Sequence, residues 1–152
     1  MSLDQLKKLN IEYQHSKHPN FPKDYLFPYK YTDKTANGLT KCIIDWIRFN
    51  GGQAERVSTV GRYVQGASYT DVVGRTRLTK GKYIPSVGAI GASDISAIIK
   101  GKSLKIEVKM KDKESPAQLE YKKDVEAAGG IYFIAHNFNE FLVKYNEIIN
   151  CA

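Results

Sequence analysis

The sequence contains little cysteine, and it lacks the spacings that make cysteine useful in small metal or redox domains. Only Cys42 and Cys151 occur among the 152 residues, and neither belongs to a CxxC pair. Zinc ribbons and thioredoxin-type motifs need such pairs, and disulfide scaffolds need more cysteines. We therefore expect two reduced thiols, with no zinc site and no disulfide framework.

The sequence also lacks long hydrophobic runs. No stretch approaches the ~20 uncharged apolar residues that span a bilayer as a helix. The first residues, MSLDQLKKLNIEYQ, do not combine a basic start with an apolar run, as a signal peptide does. We therefore expect a cytoplasmic protein that has no membrane partner.

Several common catalytic motifs are missing. The chain has no Walker A loop, no Gly-x-Ser-x-Gly elbow and no HExxH, which argues against three large enzyme classes. His15 and His18 have a helical spacing, but the prolines that follow argue against a helix, so we expect no metal site there. His136 stands alone at the end of an apolar strand and lacks a catalytic partner.

Positive charge is what the sequence has in excess, and it is unevenly distributed. The chain has 23 lysines and arginines against 16 aspartates and glutamates, which gives a net charge of +7. Residues 75–113 contain ten of these basic residues and only three acids, Asp94, Glu107 and Asp112. Because neutralising phosphates releases counterions, such a basic region favours a nucleic acid as partner.

Hydrophobic periodicity predicts a series of helices and strands. In chain order we predict a helix over 1–14, irregular chain over 15–34, a helix over 36–50, strands over 54–59, 70–78, 82–86, 94–100 and 104–110, a helix between Ser115 and Gly129, a strand over 131–135 and a last helix after Asn137. The apolar stripe of the second helix consists of Leu39, Cys42, Ile43, Trp46 and Ile47.

Two helix starts carry capping signals. Ser115-Pro116 predicts a helix start because serine satisfies free N–H groups and proline suits the first turn. Asn137 followed by Glu140 predicts a capping box at the last helix. We expect the buried edge of the helix after Ser115 to consist of Ala117, Tyr121, Val125 and Ala128.

This order of elements predicts an α/β fold. A strand–helix–strand connection over 104–135 makes its two strands parallel neighbours, whereas the hairpins are antiparallel. The result is a mixed central sheet flanked by helices. We expect residues 1–34 to form an N-terminal extension packed on a single domain over 35–150. Within that domain, residues 60–90 form a basic hairpin insertion, which is either a plain exposed hairpin or a flap that grips phosphates.

One group of residues has the composition of a metal site. Asp94 opens one strand, and Glu107 and Lys109 share a face of the next strand because strand side chains alternate. The two carboxylates, with the backbone carbonyl of Val108, are the hard oxygen ligands that Mg²⁺ takes. Lys109 can stabilise negative charge on a phosphate that is being attacked. The group suits phosphodiester hydrolysis, although a solvated sheet face has the same pattern.

The segments GASDISAII and KIEVKMKDKESPAQLEYKKDVEAAGGIYFIA resemble the VRR-NUC branch of the PD-(D/E)XK nuclease superfamily. The resemblance covers about residues 36–142, and it is closest to small phage and mobile-element members. It implies a restriction-endonuclease-like core of helix, three strands, helix, strand and helix. It also implies a DNA endonuclease that uses Mg²⁺, with Mn²⁺ as a substitute, and that prefers branched DNA such as Holliday junctions or flaps.

The resemblance assigns roles to individual residues. Asp94 and Glu107 match the metal ligands, Lys109 matches the catalytic lysine, and Gln118 matches the helix glutamine that supports the site. Family members of this type usually carry a glutamate on the first helix, where this chain has Asn37.

The departure at Asn37 leaves two questions open. Glu55 or Asp45 is an alternative source of the missing acid. A nuclease-fold DNA-binding protein with weak or lost activity also remains an alternative.

We expect DNA to contact the basic residues of the insertion and of the strands around the site. These residues are Arg56, Arg62, Arg75, Arg77, Lys80, Lys82, Lys111 and Lys113. Related junction-cutting enzymes are dimers or larger, so a homo-oligomer is a further partner to consider.

Overall fold

The fold is described from a computed structural model over residues 2–58, 61–86 and 88–150. The helices are α1 (Ser2–Lys17), α2 (Ala36–Phe49), α3 (Pro116–Ala127) and α4 (Phe138–Asn150), with a short 3₁₀ turn at Lys23–Tyr25. The strands are β1 (Gln53–Arg56), β2 (Arg62–Val64), β3 (Ser68–Thr70), β4 (Thr76–Leu78), β5 (Lys82–Ile84), β6 (Ile95–Ile99), β7 (Lys102–Val108) and β8 (Ile131–Ala135). Within these ranges, no helix combines the length and apolar content that a bilayer crossing requires.

The central sheet contains four strands in the order β1-β6-β7-β8. Strand β6 runs antiparallel to both β1 and β7, whereas β7 and β8, which α3 connects, are parallel. The predicted α/β class, with a mixed sheet flanked by helices, is confirmed. Around this sheet the chain order is α2, β1, β6, β7, α3, β8 and α4.

The hydrophobic core lies between one face of the sheet and helices α2 and α4. The predicted stripe of α2 is buried in this core, except that Trp46 is only partly buried. Its fully buried members are Leu39, Cys42, Ile43 and Ile47. Leu6 of α1 and Tyr31 belong to the same core, so the N-terminal residues pack against the rest of the chain. The other predicted thiol, Cys151, lies outside the described residues.

Helix α3 lies on the opposite face of the sheet from α4. Tyr132 and Phe133 are neighbours on β8 and therefore point to opposite faces. Phe133 stacks with Phe141 of α4 at a centroid distance of 6.3 Å, whereas Tyr132 meets Tyr121 of α3 edge-on at 6.4 Å. No residue of α3 is fully buried, so this helix covers its face of the sheet only in part.

Residues 61–86 form a long two-stranded hairpin, which we call the ribbon. Strand β2 pairs with β5, and β3 pairs with β4, both antiparallel. The register continues unchanged between the two pairs. Val64 lies opposite Lys82, and four positions further along each strand Ser68 lies opposite Leu78. The prediction of one strand over 70–78 is therefore wrong, because Thr70 and Thr76 lie opposite each other on β3 and β4 with a turn between them.

The tip of the ribbon explains this error. Asp71 Oδ1 accepts hydrogen bonds from the backbone N–H groups of Val73 and Arg75, at 3.1 and 2.9 Å. Gly74 has φ +79°, a left-handed conformation that favours glycine. These contacts turn the chain inside the predicted strand, although its two valines favour a strand by propensity.

Three smaller predictions about helices also need correction. Helix α1 continues to Lys17, three residues further than predicted, because the prolines begin only after its end. Ala128 is exposed at the end of α3 and is not part of its buried edge. At α4, Asn137 accepts a hydrogen bond from the N–H of Glu140 as predicted, but the Glu140 carboxylate accepts from the N–H of His136. The capping box of α4 is therefore only half formed.

Candidate active site

Strand register places Asp94 next to Glu107. Ile95 lies opposite Ile106, so one step further along the two strands Asp94 lies opposite Glu107. Asp94 Oδ2 accepts a hydrogen bond of 3.0 Å from the backbone N–H of Val108. The Asp94 carbonyl accepts another from the N–H of Val57, at 2.8 Å. These bonds fix Asp94 where β6 begins and β7 ends.

Glu107 is a buried carboxylate with one satisfied oxygen and one unsatisfied oxygen. Its side chain is only 5% exposed. Oε1 accepts a hydrogen bond from Gln118 Nε2 and lies 3.3 Å from Lys109 Nζ. Oε2 is buried without a hydrogen-bond partner among the described residues. Because an unpartnered buried carboxylate oxygen is unfavourable, this atom marks a position for a ligand that carries positive charge or a proton.

Burial and a neighbouring acid control the protonation of Glu107. Desolvation raises the pKa of this carboxyl above its ordinary value of 4.5, and the negative charge of Asp94 raises it further. Lys109 acts in the opposite direction but does not cancel these effects. A cation between the two carboxylates would relieve their repulsion, which is the electrostatic property of a metal site.

Gln118 is oriented by the start of α3. Its backbone N–H donates to Ser115 Oγ at 3.3 Å, and its side-chain oxygen accepts from the Ser115 N–H at 2.9 Å. This is a complete capping box, as the Ser-Pro signal in the sequence suggests. Because the amide oxygen is used by the cap, the amide nitrogen points away from it and donates to Glu107.

Lys109 is held beside Glu107 just after β7 ends. Its backbone N–H donates to the carbonyl of Ala135 at 3.2 Å, and its side chain is only 15% exposed. The structure thus brings Asp94, Glu107, Lys109 and Gln118 together at one end of the sheet, on the face that α3 only partly covers. A lysine so enclosed stays close to whatever Glu107 binds.

Sequence reasoning missed two groups near this site. Tyr132 is 6% exposed, and its hydroxyl is buried without a partner among the described residues. Burial has the largest effect on the pKa of Tyr132 and raises it. The negative charges of Glu107, Glu114 and Asp94 raise it further. Glu114 Oε1 is also buried and unpartnered within the described ranges. Tyr132 therefore lies within electrostatic reach of Glu114 and of both paired carboxylates.

The signal for Tyr132 was present in the sequence but weak. The segment IYFIA (131–135) has the pattern of a uniformly apolar strand, although its second residue carries a hydroxyl group. In the parallel register Tyr132 lies opposite Lys105 and therefore shares the face of Glu107. Glu114 had no comparable signal, because it lies in the irregular chain before α3.

Asn37 lies in a cleft whose lining contains neither of the paired carboxylates. Asn37 is exposed on the first turn of α2 and lines a surface cleft of about 380 Å³. The cleft also contains Arg48 and Arg56 but none of Asp94, Glu107, Lys109 and Gln118.

The two alternative acids, Asp45 and Glu55, differ in how free their carboxylates are to bind a ligand. Asp45 is buried, accepts a hydrogen bond from the Tyr31 hydroxyl at 2.7 Å and pairs with Lys41 at 2.9 Å. It is therefore occupied in holding the N-terminal segment. Glu55 is exposed on β1 opposite Ser96, on the same face of the sheet as Glu107.

The predicted DNA-contacting residues form three exposed groups. Arg56 lies at the end of β1 in the Asn37 cleft, and Lys111 and Lys113 lie on the chain between β7 and α3. The remaining five lie on the ribbon and are Arg62, Arg75, Arg77, Lys80 and Lys82. Arg77 Nε donates to Asp71 Oδ2 at 2.7 Å, so its charge is partly neutralised.

The residues present fit a metal ion only if backbone and water complete its coordination. In the described ranges, no group of three or more histidine, cysteine, aspartate or glutamate side chains could hold a metal. Asp94 and Glu107 supply two carboxylates, and the Val108 carbonyl is a third protein oxygen. This small oxygen set suits Mg²⁺, which keeps several of its waters in protein sites.

No protein-family model and no curated protein sequence matches the chain.

Proposed function

We propose that the protein is a Mg²⁺-dependent DNA endonuclease of the PD-(D/E)XK type, similar to the VRR-NUC branch and selective for branched DNA. The observation that carries the proposal is the buried, unpartnered Oε2 of Glu107 beside Asp94, with Lys109 Nζ 3.3 Å from the other oxygen. A solvated sheet face would expose these groups to water, whereas Glu107 is 4% exposed.

The order of the elements around the central sheet supports the proposed fold family. Helix α2, three strands, helix α3, strand β8 and helix α4 follow the order that the resemblance implies. The paired carboxylates lie where β6 begins and β7 ends, so their convergence depends on the antiparallel register of these two strands.

Asp94, Glu107 and the carbonyl of Val108 would hold the Mg²⁺ or Mn²⁺ ion. A bound divalent ion lowers the pKa of coordinated water and neutralises charge on the scissile phosphate. The chain's own groups supply the rest. Gln118 fixes the rotamer of Glu107 from the capped helix, so the second carboxylate oxygen keeps its direction.

Lys109 has the role of a cation next to the reacting phosphate. Its enclosed ammonium group can donate hydrogen bonds to a phosphate oxygen or to the attacking water, which stabilises the negative charge that develops in the transition state. The exposed basic residues around this end of the sheet supply the electrostatic attraction for the DNA backbone.

The proposal is tested by incubating the purified protein with plasmid, single-stranded and four-way-junction DNA in Mg²⁺, Mn²⁺ or EDTA. We expect metal-dependent cleavage that falls by about 100-fold or more in Asp94→Ala and in Lys109→Ala. Salt-sensitive binding without cleavage, unchanged in both variants, would instead identify a nuclease-fold DNA-binding protein. If the protein neither binds nor cuts DNA, the proposal is wrong.

A further inference from the structure

The ribbon has two chemically different faces. In an antiparallel hairpin, directly opposite residues share a face and alternate with the next pair. Tyr63 lies opposite Tyr83, and Tyr69 lies opposite Arg77. The constant register between the two strand pairs places all three tyrosines on the same face. The opposite face carries aliphatic and basic side chains, namely Arg62, Val64, Leu78, Lys82 and Ile84.

All three tyrosines are exposed to solvent. Tyr63 is 67% exposed, Tyr83 is 59% exposed and Tyr69 is 51% exposed. Three large aromatic side chains on one face of a thin ribbon do not contribute to the core. Their exposure indicates a contact surface.

Two of the tyrosines lie against glycines on the opposite strand. A Cβ atom added to Gly81 would lie 1.7 Å from the hydroxyl oxygen of Tyr63 and 2.2 Å from its Cζ. A Cβ atom added to Gly61 would lie 2.3 Å from the hydroxyl oxygen of Tyr83. Each phenol ring therefore rests against the bare backbone of a glycine. The two rings form an aromatic platform that is open to solvent.

The charge of the ribbon selects the chemistry of its ligand. The ribbon carries five basic residues and one carboxylate, that of Asp71. Asp71 already accepts hydrogen bonds from Arg77 and from two backbone N–H groups of the tip. The remaining charge is positive and exposed. Arg77 shares the tyrosine face, whereas Arg62 and Lys82 lie on the other face of the same thin ribbon. Such a surface matches a chain of phosphates that carries flat, accessible rings.

We propose that the ribbon binds an unpaired DNA strand, with bases stacked on Tyr63, Tyr69 and Tyr83 and phosphates held by the neighbouring lysines and arginines. Bases in an intact duplex stack on one another and do not offer their faces to a side chain, so the aromatic face selects single-stranded segments. This inference deepens the proposed function, because it names a flap or an unpaired arm as the part of the substrate that the ribbon reads.

A depression joins the base of the ribbon to the loop that precedes Asp94. Gly61 and Tyr83 line a depression of about 370 Å³ together with the loop over 88–91. In that loop Gly91 has φ +78°, and an added Cβ would lie 2.3 Å from the carbonyl oxygen of Ala117. Ala117 precedes Gln118, which donates to Glu107. A strand that leaves the base of the ribbon therefore meets the start of α3 and the paired carboxylates.

The test compares binding of a single-stranded oligonucleotide and a blunt duplex of equal length, measured by fluorescence anisotropy in EDTA. We expect the double variant Tyr63→Leu/Tyr83→Leu to bind the single strand about tenfold more weakly or worse, and to bind the duplex within about twofold of the wild type. The slope of affinity against salt should stay unchanged, because no charge is removed.

Two controls make the result specific. Tyr63→Phe/Tyr83→Phe keeps the stacking surface and should keep single-strand affinity, which separates stacking from loss of folding. Tyr25→Leu removes a tyrosine that is 68% exposed outside the ribbon and should change neither affinity.

The inference is overturned if the leucine variant binds both DNA forms normally. It is also overturned if the affinities of this variant for the two forms fall equally. Because the assay contains no metal and needs no cleavage, absence of nuclease activity leaves its outcome interpretable. Conversely, a wild-type protein that cuts duplex DNA while the leucine variant binds single strands normally would overturn only the role of the ribbon.

Discussion

At the scale of single residues, the candidate site is unusual because it buries one carboxyl group beside another, an arrangement that does not stabilise the fold. Glu107 is buried beside Asp94, and its pKa lies above the ordinary value because of desolvation first and repulsion second. A group with a raised carboxyl pKa binds its proton more tightly in the folded state than in the unfolded chain. Folding stability contributed by this group is therefore highest at low pH and falls as pH rises above about 4.5, the ordinary value.

Glu107→Gln tests this sign directly, because the amide keeps the shape and removes the titration. We expect the melting temperature of the variant to rise relative to that of the wild type as pH increases from 4 to 7 in EDTA. The reason is that only the wild type must ionise a buried carboxyl over this range. Thermal denaturation of both proteins at several pH values gives the comparison. A difference between them that is independent of pH would show that the Glu107 pKa is not raised.

Tyr132→Phe tests whether the buried hydroxyl serves the site or the fold. Its oxygen has no partner among the described residues, so removing it should leave stability unchanged or increase it by about 1 kcal/mol. If the hydroxyl hydrogen-bonds a group held by Glu107, the proposed cleavage should nevertheless slow by about tenfold. Urea denaturation and single-turnover cleavage measure the two effects. A large loss of stability with normal cleavage would assign Tyr132 to the fold alone.

At the scale of elements, the start of α3 and the loop over 88–91 act as one unit. Gly91 lies against the backbone of Ala117 and Gln118, so the loop supports the helix turn that carries the amide. The sequence shows the Ser-Pro cap clearly, and Gly88 and Gly91 are typical of a turn before Asp94. It does not show that this turn packs against α3, because that contact joins residues far apart in the chain.

Gly91→Ala should disturb this unit. The new Cβ would approach the Ala117 carbonyl at 2.3 Å, and φ +78° is unfavourable for alanine. We expect a loss of stability of about 2 kcal/mol or more and a marked loss of the proposed cleavage, since Gln118 must move.

Gly101→Ala is the matched control for this substitution. Gly101 has nearly the same conformation, φ +76°, but a Cβ there meets nothing within 4 Å. Gly101→Ala should lower the free energy of unfolding by only about 1 kcal/mol and leave cleavage unchanged. Equal effects of the two substitutions on stability and cleavage would show that the contact between the loop and α3 is unimportant.

The elements also show what sequence patterns can and cannot predict. Helix α2 and the sheet strands follow from periodicity because one face of each is buried in a common core. The ribbon does not follow, because its strands are exposed on both faces and no buried face sets their register. At its tip, Asp71 closes a turn through side-chain contacts that outweigh the strand propensity of two adjacent valines.

The site shows the same division. Asp94, Glu107, Lys109 and Gln118 are visible in the sequence because strand alternation and a helix cap fix their directions. Asn37 shows the limit. The resemblance implies that this position belongs to the site, whereas the structure places Asn37 in a cleft with Arg56 that contains none of these four residues.

At the scale of the whole molecule, the charge is predominantly positive. The exposed basic residues of the ribbon lie outside the core and form few internal contacts, apart from the pair of Arg77 with Asp71. The net charge of +7 is therefore available mainly at the surface. Phosphate contacts made by such residues release counterions, and each contact steepens the dependence of affinity on salt.

Neutralising four ribbon cations should flatten that dependence. We expect the slope of log Kd against log salt concentration to decrease by about 2 to 4 units, with Arg77 contributing least because of Asp71. The four substitutions are Arg75→Gln, Arg77→Gln, Lys80→Gln and Lys82→Gln.

A control variant should neutralise the same number of exposed lysines elsewhere and change the slope less. Suitable positions are Lys8, Lys17, Lys30 and Lys123. If the two variants change the slope equally, DNA is attracted by overall charge and the ribbon has no special role.

The most direct measurement of the central claim is the rate of four-way-junction cleavage in Mg²⁺ by the wild type, Glu107→Gln and Glu55→Gln. Both substitutions remove one carboxylate from the same face of the sheet, but only Glu107 is buried with an unpartnered oxygen beside Asp94. We predict that the cleavage rate of Glu107→Gln falls by about 100-fold or more, whereas that of Glu55→Gln stays within about threefold of the wild-type rate. A Glu107→Gln protein that folds normally and cuts at the wild-type rate would contradict the account.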